Sequence, residues 1–173
     1  QNAAGKWELK NNLAINPPLN LTAIASAKSD TPVLFVEGEK CVKYLYTIGV
    51  LATTAPGGAN ATLRADYSPL AGKTVIVWPD NDDAGRTHAR AVKRQLEELD
   101  PPATVWMANV DGLDLKPKWG VDDFLLSDPA TDKRALLELT IQDVARLPVS
   151  ASEELGNHIN AIADGKIRTV KWP

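Results

Sequence analysis

The sequence predicts an α/β domain built on a mostly parallel central sheet. Three observations carry this: continuously apolar runs of strand length, helical patterns between them, and turn residues at the joints. Val33-Leu34-Phe35-Val36 and Thr74-Val75-Ile76-Val77-Trp78 are the clearest runs. Unbroken apolar stretches of that length fit strands covered on both faces. Between them, Lys40 to Ile48 puts Val42, Leu45 and Ile48 on one helical face and closes at Gly49, a residue suited to a left-handed helix end. Strands alternating with helices indicate parallel pairing through crossover helices.

The remaining elements follow in order. Pro17-Pro18 breaks the chain, and Asn20 is placed to cap a short helix over Leu21 to Ala27. Gly38 allows a sharp turn after the first apolar run. Val50 to Thr54 forms a second strand, and the loop Pro56-Gly57-Gly58 follows it. Residues 83–99 form the best helix, with Ala89, Val92, Leu96 and Leu99 on one face. Pro101-Pro102 ends it, Ala103 to Met107 is a fourth strand, and a short helix begins near Asp122. Residues 131–140 and 151–163 are expected to be helical. The organisation expected is an N-terminal extension over 1–30, one domain over 31–145, and a C-terminal helix and linker over 146–173.

Bulk properties exclude several classes. The 173 residues are 44% hydrophobic and 24% charged, which is ordinary for a globular domain. The net charge of −3 and pI near 5.4 give no overall basic footprint, so nucleic-acid contact must come from a local patch or a partner. One cysteine, Cys41, and two histidines, His88 and His158, are too few for the usual structural zinc site. The lone cysteine fits a reducing, cytoplasmic setting. No apolar run reaches transmembrane length and no signal-peptide pattern opens the chain. The start at Gln1 and the end at Lys171-Trp172-Pro173 lead us to expect a fragment of a longer protein.

In parallel sheets, ligands sit beyond the carboxyl ends of the strands. The first strand ends on Glu37, the third delivers Asp80-Asn81-Asp82-Asp83, and the loop after the fourth reaches Asp122-Asp123. Carboxylates gathered this way repel one another, and a hard cation relieves the conflict. Mg²⁺ takes oxygen ligands, usually one or two carboxylates with several waters and substrate phosphate. Asp80 and Asp82, two apart in extended chain, point to the same side. The same cluster also has turn and N-cap chemistry, which Asp83 and Asp82 alike could serve. Glu37 has no helix of its own to cap, and its alternative is a surface salt bridge.

These residues resemble a known family. Val36-Glu37-Gly38-Glu39-Lys40, followed about forty residues later by Trp78-Pro79-Asp80-Asn81-Asp82-Asp83-Ala84-Gly85-Arg86, is similar to the Toprim domain, in particular that of phage- and plasmid-type primases and primase-helicases. Ala52 to Ala59 and Trp119-Gly120-Val121-Asp122-Asp123-Phe124-Leu125 extend the likeness over about residues 31–127. The resemblance implies a Toprim-like, Rossmann-like sheet of about four mostly parallel strands flanked by helices. It implies metal-dependent nucleotidyl transfer in DNA replication: primer synthesis from nucleoside triphosphates on a single-stranded DNA template, with Mg²⁺ or Mn²⁺ and with a helicase domain in the same chain or a partner helicase. Glu37, Asp80 and Asp82 would be catalytic and metal-binding, with Asp122 or Asp123 as a further metal ligand. Lys40 and Arg86 fall where basic groups meet phosphate.

The sequence also departs from the family. Cys41 stands where many bacterial primases carry an aspartate, no zinc module is present, and residues 1–30 hold at most a remnant of the subdomain that precedes Toprim in full primases. The chain alone is therefore expected to be inactive or weak. The same site leaves two alternatives: cleavage of phosphodiesters by a Toprim nuclease or topoisomerase-like enzyme, and a non-catalytic nucleic-acid-binding or coupling module. A topoisomerase needs a nucleophilic tyrosine, and Tyr44, Tyr46 and Tyr67 have no supporting context. Gly57-Gly58 is either a phosphate-approaching loop or a plain turn. His88 reads as structural, Trp78 and Trp106 as core, and Lys116 and Lys118 beside Trp119 as a solvated loop or a small phosphate-facing patch.

Overall fold

A computed structural model describes residues 17–28, 31–56, 64–111, 113 and 115–127. Gly57-Gly58, the helices expected at 131–140 and 151–163, and the ends of the chain lie outside them. Within the described residues the elements run α1 (Leu21–Ser26), β1 (Val33–Phe35), α2 (Glu39–Thr47), β2 (Ala52–Thr53), β3 (Thr74–Val77), α3 (Asp83–Glu97), β4 (Thr104–Met107) and α4 (Val121–Ser127), with a 3-10 turn over Ser68–Leu70 between β2 and β3. The strands form one all-parallel sheet in the order β2-β1-β3-β4. The expected α/β architecture is present.

Alternation along each strand divides the core in two. Leu34 and Val36 of the β1 segment, with Ile76 of β3 and Trp78 just beyond it, face Val42 and Leu45 of α2 and Leu125 of α4. Val33, Phe35, Val75 and Val77 face the opposite way, onto Ala89, Val92 and Leu96 of α3 and Ile24 of α1. A strand covered on both faces must be apolar at every position, and this is why the sequence runs lacked a polar alternate.

The helix ends show local chemistry at work. Gly49, at φ 72, ends α2 as its left-handed residue. Its N–H bonds to the Tyr46 carbonyl at 2.9 Å and the next N–H, of Val50, to the Leu45 carbonyl at 3.0 Å, the paired bonds of a Schellman end. At α1 the expectation needs correction. Asn20 is the N-cap residue but lies at φ 63 and its side chain makes no cap bond. The amide instead donates to the Ala52 carbonyl at 3.0 Å, tying α1 to the edge strand. Gly38 is also corrected: at φ −134 and ψ 154 it is extended backbone, so no special turn demands glycine there.

Strand order sets the site. From β1 the chain crosses through α2 to β2 on one side, and β3 then pairs on the other side of β1. The order therefore reverses between β1 and β3, and the helices that follow these two strands cover opposite faces. A crevice at the carboxyl ends is expected at such a switch point.

Candidate functional site

Glu37 and Asp80 are brought to that switch point by register. Phe35 pairs with Val77, and the Trp78 N–H bonds to the Phe35 carbonyl at 2.9 Å. Glu37 and Asp80 then leave adjacent strands just beyond the last ladder bonds. Glu37 Oε2 is buried and has no hydrogen-bond partner, an arrangement that costs free energy unless a ligand, ion or water completes it. Asp80 is half-buried, and its carboxyl is pushed up to about 7, first by burial and then by repulsion from Glu37, Asp82, Asp122 and Asp123. These four charged neighbours are all carboxylates.

Asp82 is committed in part to structure. It is the N-cap of α3, with extended backbone, and its Oδ1 accepts the Gly85 N–H at 2.7 Å. Gly85 is where glycine is sterically required: a Cβ there would stand 2.5 Å from the Asp80 carbonyl oxygen and 2.9 Å from the Asp80 nitrogen. The start of α3 thus lies directly on the Asp80 backbone.

Asp122 and Asp123 reach the same edge from α4 but are already partnered. Asp122 is buried. Its Oδ1 accepts the Cys41 thiol at 2.8 Å, and its Oδ2 lies 2.8 Å from the Lys40 ammonium. The two form an ion pair. Burial alone would raise the Asp122 carboxyl; the Cys41 and Lys40 interactions outweigh it and hold the group below the usual carboxylate range. Asp123 Oδ2 accepts the Gly120 N–H at 3.2 Å, closing the first turn of α4, and its Oδ1 is 3.7 Å from Lys40 Nζ. Cys41 is pushed up to about 12 by burial and by its bond to Asp122, so it is a protonated donor and not a nucleophile. Gly120 allows the approach: a Cβ on it would meet Asp80 Oδ1 at 2.8 Å and Asp122 Oδ1 and Cys41 Sγ at 3.3 Å.

Among the described residues no three His, Cys, Asp or Glu side chains are gathered closely enough to hold a metal between them. The donor set does fit a hydrated hard cation. Such an ion takes one or two carboxylates and keeps its waters, and here an unpartnered Glu37 oxygen stands by an Asp80 that its carboxylate neighbours repel.

Basic residues flank the edge. Arg86 Nη2 donates to Asn81 Oδ1 at 3.0 Å and to Asp111 Oδ1 at 2.7 Å, and with Arg90 it lines an open cleft over Ala108 and Asn109 at the end of β4. Lys116 lies over the Trp119 ring, 4.9 Å from its centroid, so this lysine packs on an aromatic face. Tyr67 is buried against Phe35, with ring centroids 5.9 Å apart, and burial pushes its phenol up, which removes it as a nucleophile.

Asn81, between Asp80 and Asp82, carries no local sequence signal of its role. It clamps the loop between β4 and α4. Its side-chain amide donates to the Leu115 carbonyl at 2.7 Å and the Lys116 carbonyl at 3.3 Å, its N–H to the Trp119 carbonyl at 2.9 Å, and its carbonyl accepts the Lys118 N–H at 3.1 Å. Asn81→Ala is expected to cost about 2 kcal/mol, since it strands loop carbonyls and the Arg86 donor. Amide hydrogen exchange should quicken at Lys118 and Trp119; unchanged exchange there would show that the clamp is not what orders the loop. His88, expected to be structural, is buried on α3, tilted against Phe35 with centroids 6.5 Å apart. Burial lowers its pKa, against an opposing pull from Glu37.

The chain matches no protein-family model, no curated protein and no solved structure. No helix among the described residues is long and apolar enough to cross a membrane.

Proposed function

We propose that the chain is a Toprim-type nucleotidyl-transfer module of a DNA primase or primase-helicase, acting on single-stranded DNA and nucleoside triphosphates. The observation that carries this reading is the pairing of Glu37 and Asp80 at the switch point between β1 and β3, where a Glu37 oxygen is buried without a partner and Asp80 is repelled by its carboxylate neighbours. The motif likeness around the same two residues supports it. Glu37 and Asp80 would hold Mg²⁺ or Mn²⁺, which when bound orients the triphosphate and offsets charge on the departing pyrophosphate. Glu37 would take the proton of an attacking 3′-hydroxyl. Asp82 fixes the start of α3, and with it the Asp80 backbone, through its bond to Gly85. Arg86 and Arg90 line the neighbouring cleft, where an incoming phosphate would compete with Asp111 for Arg86. Helicase action, by a linked domain or a partner, would feed the template strand.

The test is primer synthesis on single-stranded DNA with nucleoside triphosphates and Mg²⁺ or Mn²⁺, with the module in its native protein. Glu37→Ala and Asp80→Ala should each abolish primers while circular dichroism stays unchanged. Normal primer yield from both variants would sink the proposal. Shortened DNA in the absence of nucleotides, lost in the same variants, would instead assign the site to strand cleavage.

A further inference from the structure

We infer that Lys40 is a tethered cation that already neutralises the Asp122–Asp123 half of the acidic edge, so that the edge takes a single divalent cation, through Glu37 and Asp80. The inference rests on the reading of this edge as a divalent-cation site.

The two halves of the edge differ in what their oxygens already hold. Both oxygens of Asp122 are engaged, one by the Cys41 thiol at 2.8 Å and the other by Lys40 at 2.8 Å. Both oxygens of Asp123 are engaged as well, by the Gly120 N–H at 3.2 Å and by Lys40 at 3.7 Å. On the other half, Glu37 Oε2 is buried without a partner. A divalent ion reaching Asp122 would have to displace the ammonium from Oδ2 or the buried thiol donor from Oδ1; one reaching Glu37 displaces no protein group from Oε2.

Lys40 is suited to this role by its exposure. Its side chain is 75% exposed while that of Asp122 is 3% exposed. The lysine keeps most of its hydration, and the buried carboxylate gains a counter-charge it could not otherwise find. The position is not one that helix electrostatics favour. Lys40 lies in the first turn of α2 (Glu39–Thr47), where the helix dipole disfavours a positive charge. The Asp122 and Asp123 contacts supply the compensation. Without Lys40, Asp122 would be a buried charge with no counter-ion beside Asp123 and Asp80, and a second cation would have both carboxylates to itself.

Mn²⁺ titration of the purified chain tests this, with calorimetric heat and the electron paramagnetic resonance of free Mn²⁺ as readouts. The wild type and Lys40→Arg should each bind one ion per chain. Lys40→Met should bind a second. Asp122→Asn, which keeps the lysine, should still bind one ion with unaltered affinity, and this holds the inference to account if Lys40→Met fails to fold. One ion only in a folded Lys40→Met protein overturns the inference and leaves the cation site standing, as does loss of the ion in Asp122→Asn. Two ions in the wild type also overturn it. No Mn²⁺ bound by the wild type overturns the cation site and the inference together.

Discussion

Asp80→Asn is expected to abolish divalent-cation binding and, in metal-free buffer, to make the protein more stable at neutral pH. Both effects come from one arrangement. Asp80 titrates at about 7 in place of 3.8, because burial disfavours its charge and four carboxylates repel it. The unfolded chain has neither influence. Between the two values the folded protein holds a proton that the unfolded chain has released, so stability falls as pH rises from 3.8 to about 7 and levels off above. With allowance for the solvent screening that partial exposure brings, the loss is on the order of 2 kcal/mol. Asparagine carries no charge and should remove this slope. Urea unfolding from about pH 4 to about pH 8, without metal, checks it; parallel curves for the two proteins would show that Asp80 bears no such burden. Mn²⁺ affinity should fall by more than the roughly 10- to 100-fold that loss of an outer-shell partner costs. A residue that weakens its own fold and strengthens on neutralisation is what a site built for a bound cation predicts.

Gly85→Ala is expected to cost about 2 to 3 kcal/mol, although alanine is the better helix former by about 1 kcal/mol. The added Cβ would fall 2.5 Å from the Asp80 carbonyl oxygen and 2.9 Å from the Asp80 nitrogen and Cβ. Backbone cannot swing aside as a side chain can, so α3 must move. Movement also strains the Gly85 N–H bond to Asp82, 2.7 Å in the native protein. Gly38→Ala is the control: its Cβ would meet nothing within 4 Å, and its cost should stay within about 0.5 kcal/mol. Equal urea midpoints for Gly85→Ala and wild type would refute the close approach of α3 to Asp80. A normal fold with weakened Mn²⁺ binding would place the displacement at the site itself.

These two variants bear on why the site was readable in part. Gly85 sits at the third position of the strongest helix, where glycine is a poor choice; that mismatch was the available signal for a backbone contact. Asp82 carried both possible meanings, cap and ligand, and the structure commits one of its oxygens to the cap. Gly38 stood within a motif-like segment yet is ordinary extended backbone. Asn81 could not be told from a spacer, because the carbonyls it holds belong to a loop 34 and 35 residues away.

The sequence by itself determined the strands, the two-faced burial of β1 and β3, and the arrival of Glu37 and Asp80 at strand ends. Those features follow from patterns a few residues long, and apolar periodicity records them directly. Tertiary structure alone decided the strand order that makes neighbours of Glu37 and Asp80, and the division of the carboxylates into a partnered and an unpartnered half. Cys41 and Asp122 are 81 residues apart in the chain, and nothing local in either segment records that they share a proton-bearing contact. Net charge states only that the acidic residues outnumber the basic ones. Which carboxylate receives Lys40 and which keeps an oxygen without a partner is fixed by packing of α2 against α4, and this packing divides the acidic edge into a partnered and an unpartnered half.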